Sequence, residues 1–559
     1  TSAYPLWWFN AAEGFYNYSL DGLALEPNIA WKYETNDDAS EYIFYLREGM
    51  RWSDGAPFTA DDIMFWYEDV FLNSDLTPAF AKWLAPGGTP VVVEKIDDYS
   101  VRFKFGGPYG AFVDWFGSSN TFFNYPKHFM QQFHPTYTEK DTLDKLVSER
   151  GFEHWYQLFA SQIDFERNPD LPTTHAWNTT SKDWTTVCIA ARNPYYWKVD
   201  PEGNQLPYID NWNFNIVQSV DMVPMQIVTG QVNHQGFTTG INNYTLYMEN
   251  REKGNYDVLI WNYGTTGTAL HMNQTRKIGE DAAGQETADL LRDRDFRLAL
   301  SKAFDRDDIN QLVYMGLADP PLKLYSESLQ NDPEIQALFE FNADAANALL
   351  DGLGMDQRDG DGMRLTPGGQ RLDLTIIGHV LYALHRDVAE VVAEYLQEVG
   401  VRATLDWIPN EVWYPRVQAG EYDVVAYEAD YTSGNRRWLR FSRSFFPTST
   451  STYWAPRWGA WFTTDGKEGE EPTDPDAQRL LAIYAEIEST AGAAERNELM
   501  DEALRICAYN LWPIHTTASR PDPIIVGKGF RNVPEYAMEA SAIGAERTAK
   551  PEQYWIEPA

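Results

Sequence analysis

The sequence predicts an α/β protein built from more than one lobe, and three observations support this. The chain has 559 residues, more than one hydrophobic core usually organises. Apolar residues alternate in some stretches and recur at helical spacing in others, which indicates both strands and helices. A strand, helix, strand order over 372–408 predicts two parallel strands joined by a right-handed crossover.

The first well-defined helix is predicted inside YLREGMRWSDGAPFTADDIMFWYEDV, residues 45–70. Asp54 and Gly55 supply a turn before it. Thr59 stands at the N-cap position, and Asp62 can return a hydrogen bond to the backbone of the cap. An apolar stripe then predicts one buried helix face: Ile63, Trp66, Tyr67 and Val70.

Residues 372–427 predict a sheet with helices on both faces. Alternating apolar residues around 372–376 and 401–407 indicate strands, a helical stripe lies between them, and Gly400 suits the end of that helix. A short helix at 412–418 and the strand YDVVAY, 422–427, follow. We expect a right-handed parallel sheet, whose ligands bind beyond the carboxyl ends of the strands. The loop after Tyr427 is therefore a candidate binding region.

Two further helices begin after acidic caps. The stretch 293–304 places its apolar residues on one face, and a second helix restarts with Asp305 as its cap.

Composition excludes several classes of function. With 45 basic and 82 acidic residues, the net charge of −37 disfavours nucleic acid and anionic membranes as partners. No run of 18 or more apolar residues is present. The opening TSAYPLWWFN lacks the features of an export signal, so either none existed or it has been removed. Cys188 and Cys507 leave one bridge open, although two buried thiols are favoured.

Common catalytic and cofactor motifs are absent from the sequence, including nucleophile elbows, zinc-protease motifs and phosphate-binding loops. We therefore expect no cofactor, no metal site and no catalytic residue. The nine histidines are scattered, and we expect His379 and His385 to be structural or surface residues. A pair of carboxylates for glycoside hydrolysis stays open, because sequence spacing alone does not exclude it.

Several segments resemble one family, the family 5 extracytoplasmic solute-binding proteins of ABC importers. The hallmark pattern is matched at Leu46, Arg47, Trp52, Asp54, Gly55, Pro57, Thr59, Ala60, Asp61 and Asp62. Further segments resemble the family in the same order along the chain: RNPYYWKVDPEGNQLPYID (192–210), DFRLALSKAFDRDDINQLVYMGLADP (295–320), ADAANALLDGLG (343–354) and LWPIH (511–515).

The resemblance implies a two-lobed, type II periplasmic-binding-protein-like fold, enlarged by an extra subdomain in lobe one. By analogy, lobe one covers 1–265 with the inserted subdomain at about 45–185, lobe two covers 266–514, and 515–559 return to lobe one. The resemblance further implies a monomer that closes over a small-molecule ligand and passes it to permease subunits of an ABC transporter. It implies a periplasmic or extracellular location, which allows a tether through a removed lipoprotein signal. A sensory or chaperone role on this fold stays open.

Ligand contacts are expected where aromatic and polar residues gather at positions that bind ligand in the family. Flat indole rings are good platforms for sugar rings, although most of the 21 tryptophans must serve the core. The candidate residues are Trp7, Trp8, Asn10, Glu13, Trp261, Trp407, Trp413, Tyr427, Glu428, Asp430, Tyr431, Arg436, Trp438, Trp454 and Trp458.

Asp430 bears on the choice of ligand. In peptide-binding members, the acid of a segment like Ala429–Tyr431 holds the α-ammonium of the peptide. Here Thr432, Ser433 and Gly434 replace the usual Pro-Asp-Pro continuation, which weakens the peptide assignment. Asp430 could equally accept hydrogen bonds from sugar hydroxyls or pair with Arg436 or Arg437. We therefore predict an oligosaccharide ligand, with an oligopeptide as the alternative.

Overall fold

The computed structural model describes residues 13–22, 24–118, 125–181, 184–236, 238–277, 282–430, 442–539 and 546–558. Its strands are β1 Tyr16–Tyr18, β2 Leu25–Pro27, β3 Ala30–Thr35, β4 Glu41–Leu46, β5 Val92–Asp97, β6 Ser100–Lys104, β7 Trp177–Thr179, β8 Val187–Arg192, β9 Asn211–Asn215, β10 His234–Gln235, β11 Tyr256–Tyr263, β12 Thr265–Met272, β13 Asp373–His379, β14 Arg402–Ile408, β15 Val424–Asp430, β16 Pro513–His515, β17 Arg520–Gly527, β18 Phe530–Arg531, β19 Met538–Glu539 and β20 Trp555–Ile556.

Its α-helices are α1 Ala60–Phe65, α2 Phe112–Ser118, α3 Lys127–Met130, α4 Lys140–Glu149, α5 Trp155–Gln162, α6 Met222–Val228, α7 Tyr244–Gly254, α8 Ala282–Arg292, α9 Arg294–Ala303, α10 Arg306–Tyr314, α11 Glu327–Gln330, α12 Pro333–Phe339, α13 Ala343–Gly352, α14 Ala383–Glu398, α15 Asn410–Gln418, α16 Pro456–Thr463, α17 Pro475–Ser489 and α18 Ala493–Asn510. The predicted acidic caps are confirmed, because Asp293 and Asp305 accept backbone N–H groups at the starts of α9 and α10.

A five-stranded sheet with the order β14-β13-β15-β12-β16 contains the predicted strand, helix, strand unit. β13 pairs in parallel with β14 and with β15, so that unit is confirmed. The three predicted strands are therefore parallel, whereas β12, for which no direction was predicted, runs antiparallel to both of its neighbours. The crossover rule fixes direction only for strands joined through a helix, and β12 follows β11 after a single residue, Gly264.

A second sheet has four strands in the order β10-β17-β11-β19. Its two long strands, β11 and β17, are antiparallel along their full length, from Tyr256 opposite Gly527 to Tyr263 opposite Arg520. The chain passes between the two sheets twice, at Gly264 and again over residues 516–519 between β16 and β17. The lobe boundaries themselves stay a prediction.

The hallmark stretch near the N-terminus is scaffold. Thr59 caps α1 and forms the predicted capping box with Asp62. Trp52 is fully buried, and its indole N–H donates to Asp62 Oδ2 at 3.3 Å. The helix widens into a π-helical segment at Trp66–Phe71, a change that the regular apolar stripe does not announce. Strands β3, β4, β6 and β5 form the adjoining antiparallel sheet.

Cys188 and Cys507 are both buried and unbonded, which confirms the favoured alternative of two buried thiols. Among the helices that the structure describes, none is long and apolar enough to cross a membrane.

Candidate functional site

Three parallel strands of the five-stranded sheet end together and define the candidate site. β13 ends at His379, β14 at Ile408 and β15 at Asp430. The carboxyl ends of such strands are the usual binding edge of an open α/β sheet. Exposed apolar side chains lie just beyond this edge: Val380, Leu381, Tyr382, Val412 and Tyr414.

Six rings pack together at this edge, and we call them the edge cluster: His379, Tyr382, His385, Trp413, Tyr427 and Tyr453. The ring of Tyr427 lies 5.4 Å from Trp413 and 5.4 Å from Tyr382 between centroids. Five of the six side chains are buried, whereas Tyr382 is 39% exposed. Tyr382 is therefore the accessible member of this aromatic cluster.

Hydrogen bonds fix the tautomer of His379. The backbone N–H of Leu381 donates to its Nδ1 at 3.0 Å, so Nδ1 carries no proton. Nε2 then bears the proton and donates to Asn410 Oδ1 at 2.8 Å. This pair joins the end of β13 to the start of α15 and orients both elements at the edge.

The other buried histidines near the edge are held neutral. Burial lowers the pKa of His385 to about 3, with Arg520 contributing in the same direction. Burial likewise lowers the pKa of His271 to about 4. His385 Nδ1 lies 2.9 Å from Thr268 Oγ1, within hydrogen-bond distance. At neutral pH both rings are therefore without positive charge.

Glu428 on β15 is the acid whose side chain the structure places nearest the strand end. Its Oε2 accepts a hydrogen bond from Thr265 Oγ1 at 3.1 Å and lies 2.9 Å from Arg520 Nη1. Both side chains of the ion pair are about 85% buried, with 14% and 15% of their surfaces exposed. Because Arg520 opens β17, this pair joins the two sheets beside both chain crossings.

Asp522 adds a second carboxyl group to this junction. Burial raises its pKa to about 6, while Arg520 and a hydrogen bond from Thr239 act in the opposite direction. The Thr239 Oγ1 to Asp522 Oδ1 distance is 3.4 Å. The positive charge of Arg520 therefore stabilises two acidic side chains, one from each sheet.

Of the predicted site residues, Trp413, Tyr427 and Glu428 come together at this edge. Asp430 ends β15 with its backbone opposite Thr265, and its side chain lies outside the described part of the structure. Six more candidates lie outside the described residues: Trp7, Trp8, Asn10, Tyr431, Arg436 and Trp438. Their ligand roles stay predictions.

Trp454 and Trp458 lie together elsewhere, in what we call the tryptophan cluster with Trp512. The rings of Trp454 and Trp512 are nearly parallel, with 3° between their planes and 4.6 Å between centroids. Trp458 packs edge-on against both rings. All three are at most 5% exposed, so a ligand would reach them only after the core opened.

Three remaining candidates lie apart from the edge cluster. Trp261 on β11 is buried, and its indole N–H donates to Pro534 O at 3.1 Å. Trp407 is half-buried on β14, where its ring covers Gly378 of β13. A Cβ at Gly378 would lie 2.7 Å from that ring.

Glu13 is buried among protein groups. Tyr196 Oη and Asn28 Nδ2 each donate to it at 2.6 Å, and Lys198 Nζ lies 3.1 Å away. Burial alone would raise the pKa of Glu13, but the ion pair with Lys198 and these hydrogen bonds hold it below its ordinary value. Lys198 also pairs with Glu552 at 3.1 Å, so the described contacts of Glu13 tie the N-terminal part to the C-terminal segment.

The reasoning from sequence missed Tyr382, Thr265 and Arg520 as site residues. Tyr382 follows the strand predicted at 372–376, and the rule that sends ligands to strand ends could have indicated it. Nothing in local sequence links Arg520 to Glu428, which is 92 residues away. No group of three or more His, Cys, Asp or Glu side chains in the described ranges has metal-binding geometry.

Parallel strands that end together at an aromatic edge, beside two chain crossings, fit a protein that binds a solute. The model of the family "Bacterial extracellular solute-binding proteins, family 5 Middle" matches residues 24–439. The chain belongs to this family. Members of the family are binding and transport proteins that work with ABC transporters.

Individual relatives agree with this assignment. The periplasmic alpha-galactoside-binding protein of Rhizobium meliloti (strain 1021) is 25% identical over 533 residues, which is 93% of this chain and 72% of the relative. The structure of an oligopeptide-binding protein, OppA, matches with a TM-score of 0.76 and 33% identity, over 98% of this chain and 87% of that chain. The periplasmic binding protein MelB of Agrobacterium fabrum, in complex with stachyose, matches with a TM-score of 0.67 and 22% identity, over 98% and 80%. The fold is the two-lobed α/β fold of periplasmic binding proteins.

Proposed function

We propose that this protein captures an oligosaccharide between its two lobes outside the cytoplasm and delivers it, as a monomer, to the permease subunits of an ABC importer. The lobes are the parts of the chain on either side of the two crossings, with boundaries near residues 265 and 515. Ligand contacts made only in the closed arrangement would shift the population toward closure. No covalent step is part of this proposal.

The observation that carries the ligand class is the chemistry of the edge cluster. Tyr382 is a partly exposed ring that packs perpendicular to Tyr427 and tilted against His385, and an accessible aromatic ring suits the apolar face of a sugar ring. The charge of Glu428 is paired with Arg520, and His385 is held neutral. Rings and hydrogen-bonding groups of this kind suit a ligand rich in hydroxyl groups. The name of the Rhizobium meliloti relative and the stachyose bound to MelB support the same class.

A ligand panel tests this proposal. Thermal unfolding is measured with stachyose, other α-galactosides, maltooligosaccharides and tetrapeptides. A ligand at a hundred times its dissociation constant adds about 2.7 kcal/mol to the free energy of unfolding. We expect stabilisation by a saccharide of two to five units, and stabilisation only by peptides would contradict the sugar assignment. Mass spectrometry of the released ligand should recover it uncleaved; a cleaved saccharide would contradict a purely binding role.

An oligopeptide is the second candidate, because the matched OppA structure is an oligopeptide-binding protein and the segment Ala429–Tyr431 resembles the one whose acid holds the α-ammonium in peptide-binding members. Asp430→Asn discriminates between the two ligands by calorimetric titration. The substitution should abolish peptide binding, which needs the negative charge, and only weaken sugar binding, which needs hydrogen-bond acceptors. Equal loss of peptide binding and sugar binding would show that Asp430 does not discriminate between the two ligands.

A further inference from the structure

A second contact joins the two parts of the chain away from the crossings. One side is the loop that leads into α2, around Gly110, which precedes the first crossing at Gly264. The other side is the turn at 490–492 between α17 and α18, which lies between the two crossings. The two sides meet through backbone atoms, and this closeness depends on one glycine.

Gly110 has no room for a side chain. A Cβ at this position would lie 2.0 Å from Thr490 O and 2.7 Å from Ala491 Cα, distances that real Cβ atoms do not show. Because both neighbouring atoms belong to the backbone, neither can rotate away. Only glycine at position 110 therefore allows the two parts of the chain to come this close.

Arg496 fixes the turn that Gly110 meets. Its Nη1 donates to Thr490 O at 3.0 Å and to Ala491 O at 2.8 Å, which holds both carbonyl groups in place. Its Nη2 lies 3.5 Å from Asp114 Oδ2 on α2, and both side chains are nearly 90% buried. The same guanidinium thus shapes one side of the contact and binds the other.

Lys82 extends the contact beyond the glycine. Its Nζ donates to Phe462 O at 3.2 Å and lies 4.5 Å from the centre of the Phe462 ring. Phe462 belongs to α16, on the same side of the crossings as the 490–492 turn. The backbone contact, the ion pair and the lysine over a ring therefore all lie at one interface between the two parts of the chain.

We infer that Gly110, Asp114 and Arg496 form a clasp that holds the two lobes closed around the ligand, with Gly110 as the positioning residue. This inference rests on the proposed function, because closure is the motion that the clasp completes. None of the three residues belongs to the edge cluster. The clasp therefore sets how much of the protein is competent to bind, and the apparent affinity follows that fraction.

Gly110→Ala tests the clasp, with Gly107→Ala as its matched control in the same loop. A Cβ at Gly107 meets nothing within 4 Å. We expect Gly110→Ala to weaken binding of the stabilising ligand from the panel by about tenfold or more, because closure is blocked. Small-angle scattering should show that wild type and Gly107→Ala contract with saturating ligand and that Gly110→Ala contracts less.

Equal affinity and equal contraction in Gly110→Ala and wild type would overturn the clasp. Should Gly110→Ala fail to fold, Asp114→Asn removes the charge of the pair at nearly constant shape. Weaker binding with reduced contraction then supports the clasp, whereas wild-type values contradict it. A wild-type protein that neither binds nor contracts with any saccharide or peptide of the panel would contradict the proposed function instead.

Discussion

The edge cluster and the tryptophan cluster are both aromatic, yet they differ in what surrounds them. The tryptophan cluster is dry, with rings at most 5% exposed and a stacked pair at its centre. The edge cluster contains two histidines, one of which bonds the Asn410 amide, and its outer ring, Tyr382, is 39% exposed. An abundance of tryptophan thus says little about binding, whereas an exposed ring supported by polar neighbours is suited to hold a ligand. Trp454→Ala and Tyr382→Ala test this difference directly, and Arg520→Met and Glu488→Gln test buried charges outside the two clusters.

Trp454→Ala should produce the largest change in stability. Removing a fully buried indole leaves a cavity beneath the ring of Trp512, and such truncations lower the free energy of unfolding by about 3–5 kcal/mol. Urea unfolding measures the loss, and calorimetry of the folded variant should give wild-type ligand affinity. A stable variant that has lost binding would place Trp454 at the ligand and erase the distinction between the clusters.

Arg520→Met should lower the free energy of unfolding by about 3 kcal/mol at pH 8, because it leaves Glu428 and Asp522 as buried acids without their cation. The folded-state pKa of Asp522 is raised from 3.8 to about 6, so the native chain binds this proton more tightly than the unfolded chain. The stability tied to that proton is therefore complete below about pH 4 and is lost as the pH rises through 6.

The loss in Arg520→Met should accordingly be smaller at pH 5 than at pH 8, as measured by urea unfolding at both values. Arg531→Met is the control, since its pair with Glu557 is exposed and should contribute less than about 1 kcal/mol. A loss of unfolding free energy that is the same at both pH values would show that Arg520 does not stabilise the charged forms of these acids.

Tyr382→Ala should weaken saccharide binding about tenfold, equivalent to about 1.4 kcal/mol, with a small change in stability. The ring is already partly in water, so its removal leaves no closed cavity. Tyr195→Ala is the control, because Tyr195 is similarly exposed at 45% and lies in the N-terminal part of the chain. Titration calorimetry measures the saccharide affinity of both variants. Equal affinities of Tyr382→Ala and Tyr195→Ala would show that Tyr382 is not part of the site.

Glu488→Gln should give the smallest effect, a gain of about 1 kcal/mol at pH 8 that disappears at pH 4.5. Burial raises the pKa of Glu488 from 4.5 to about 7, so its charged form destabilises the folded state as the pH rises through 7. Thermal midpoints across this range measure the gain. Glu498→Gln, an exposed acid on α18, should show no such trend; an identical trend in both variants would contradict burial as the cause.

Much of the local structure was predictable because its causes are local. The capping box at Thr59 and Asp62, the acidic caps at Asp293 and Asp305, and the β13, α14, β14 unit follow from residues within a few positions of one another. The direction of β12 was not predictable in this way. It depends on pairing with β15, more than 150 residues further along the chain.

The sequence by itself determined the α/β class, the family and the edge at which binding is expected, because short-range periodicity and ordered motifs encode them. Only the tertiary structure decided which aromatic residues share that edge, that Arg520 neutralises Glu428, and that Gly110 meets the 490–492 turn. Each of these depends on atoms brought together from distant parts of the chain. Side-chain type is written in the sequence, but burial, pairing and close approach are properties of the folded whole.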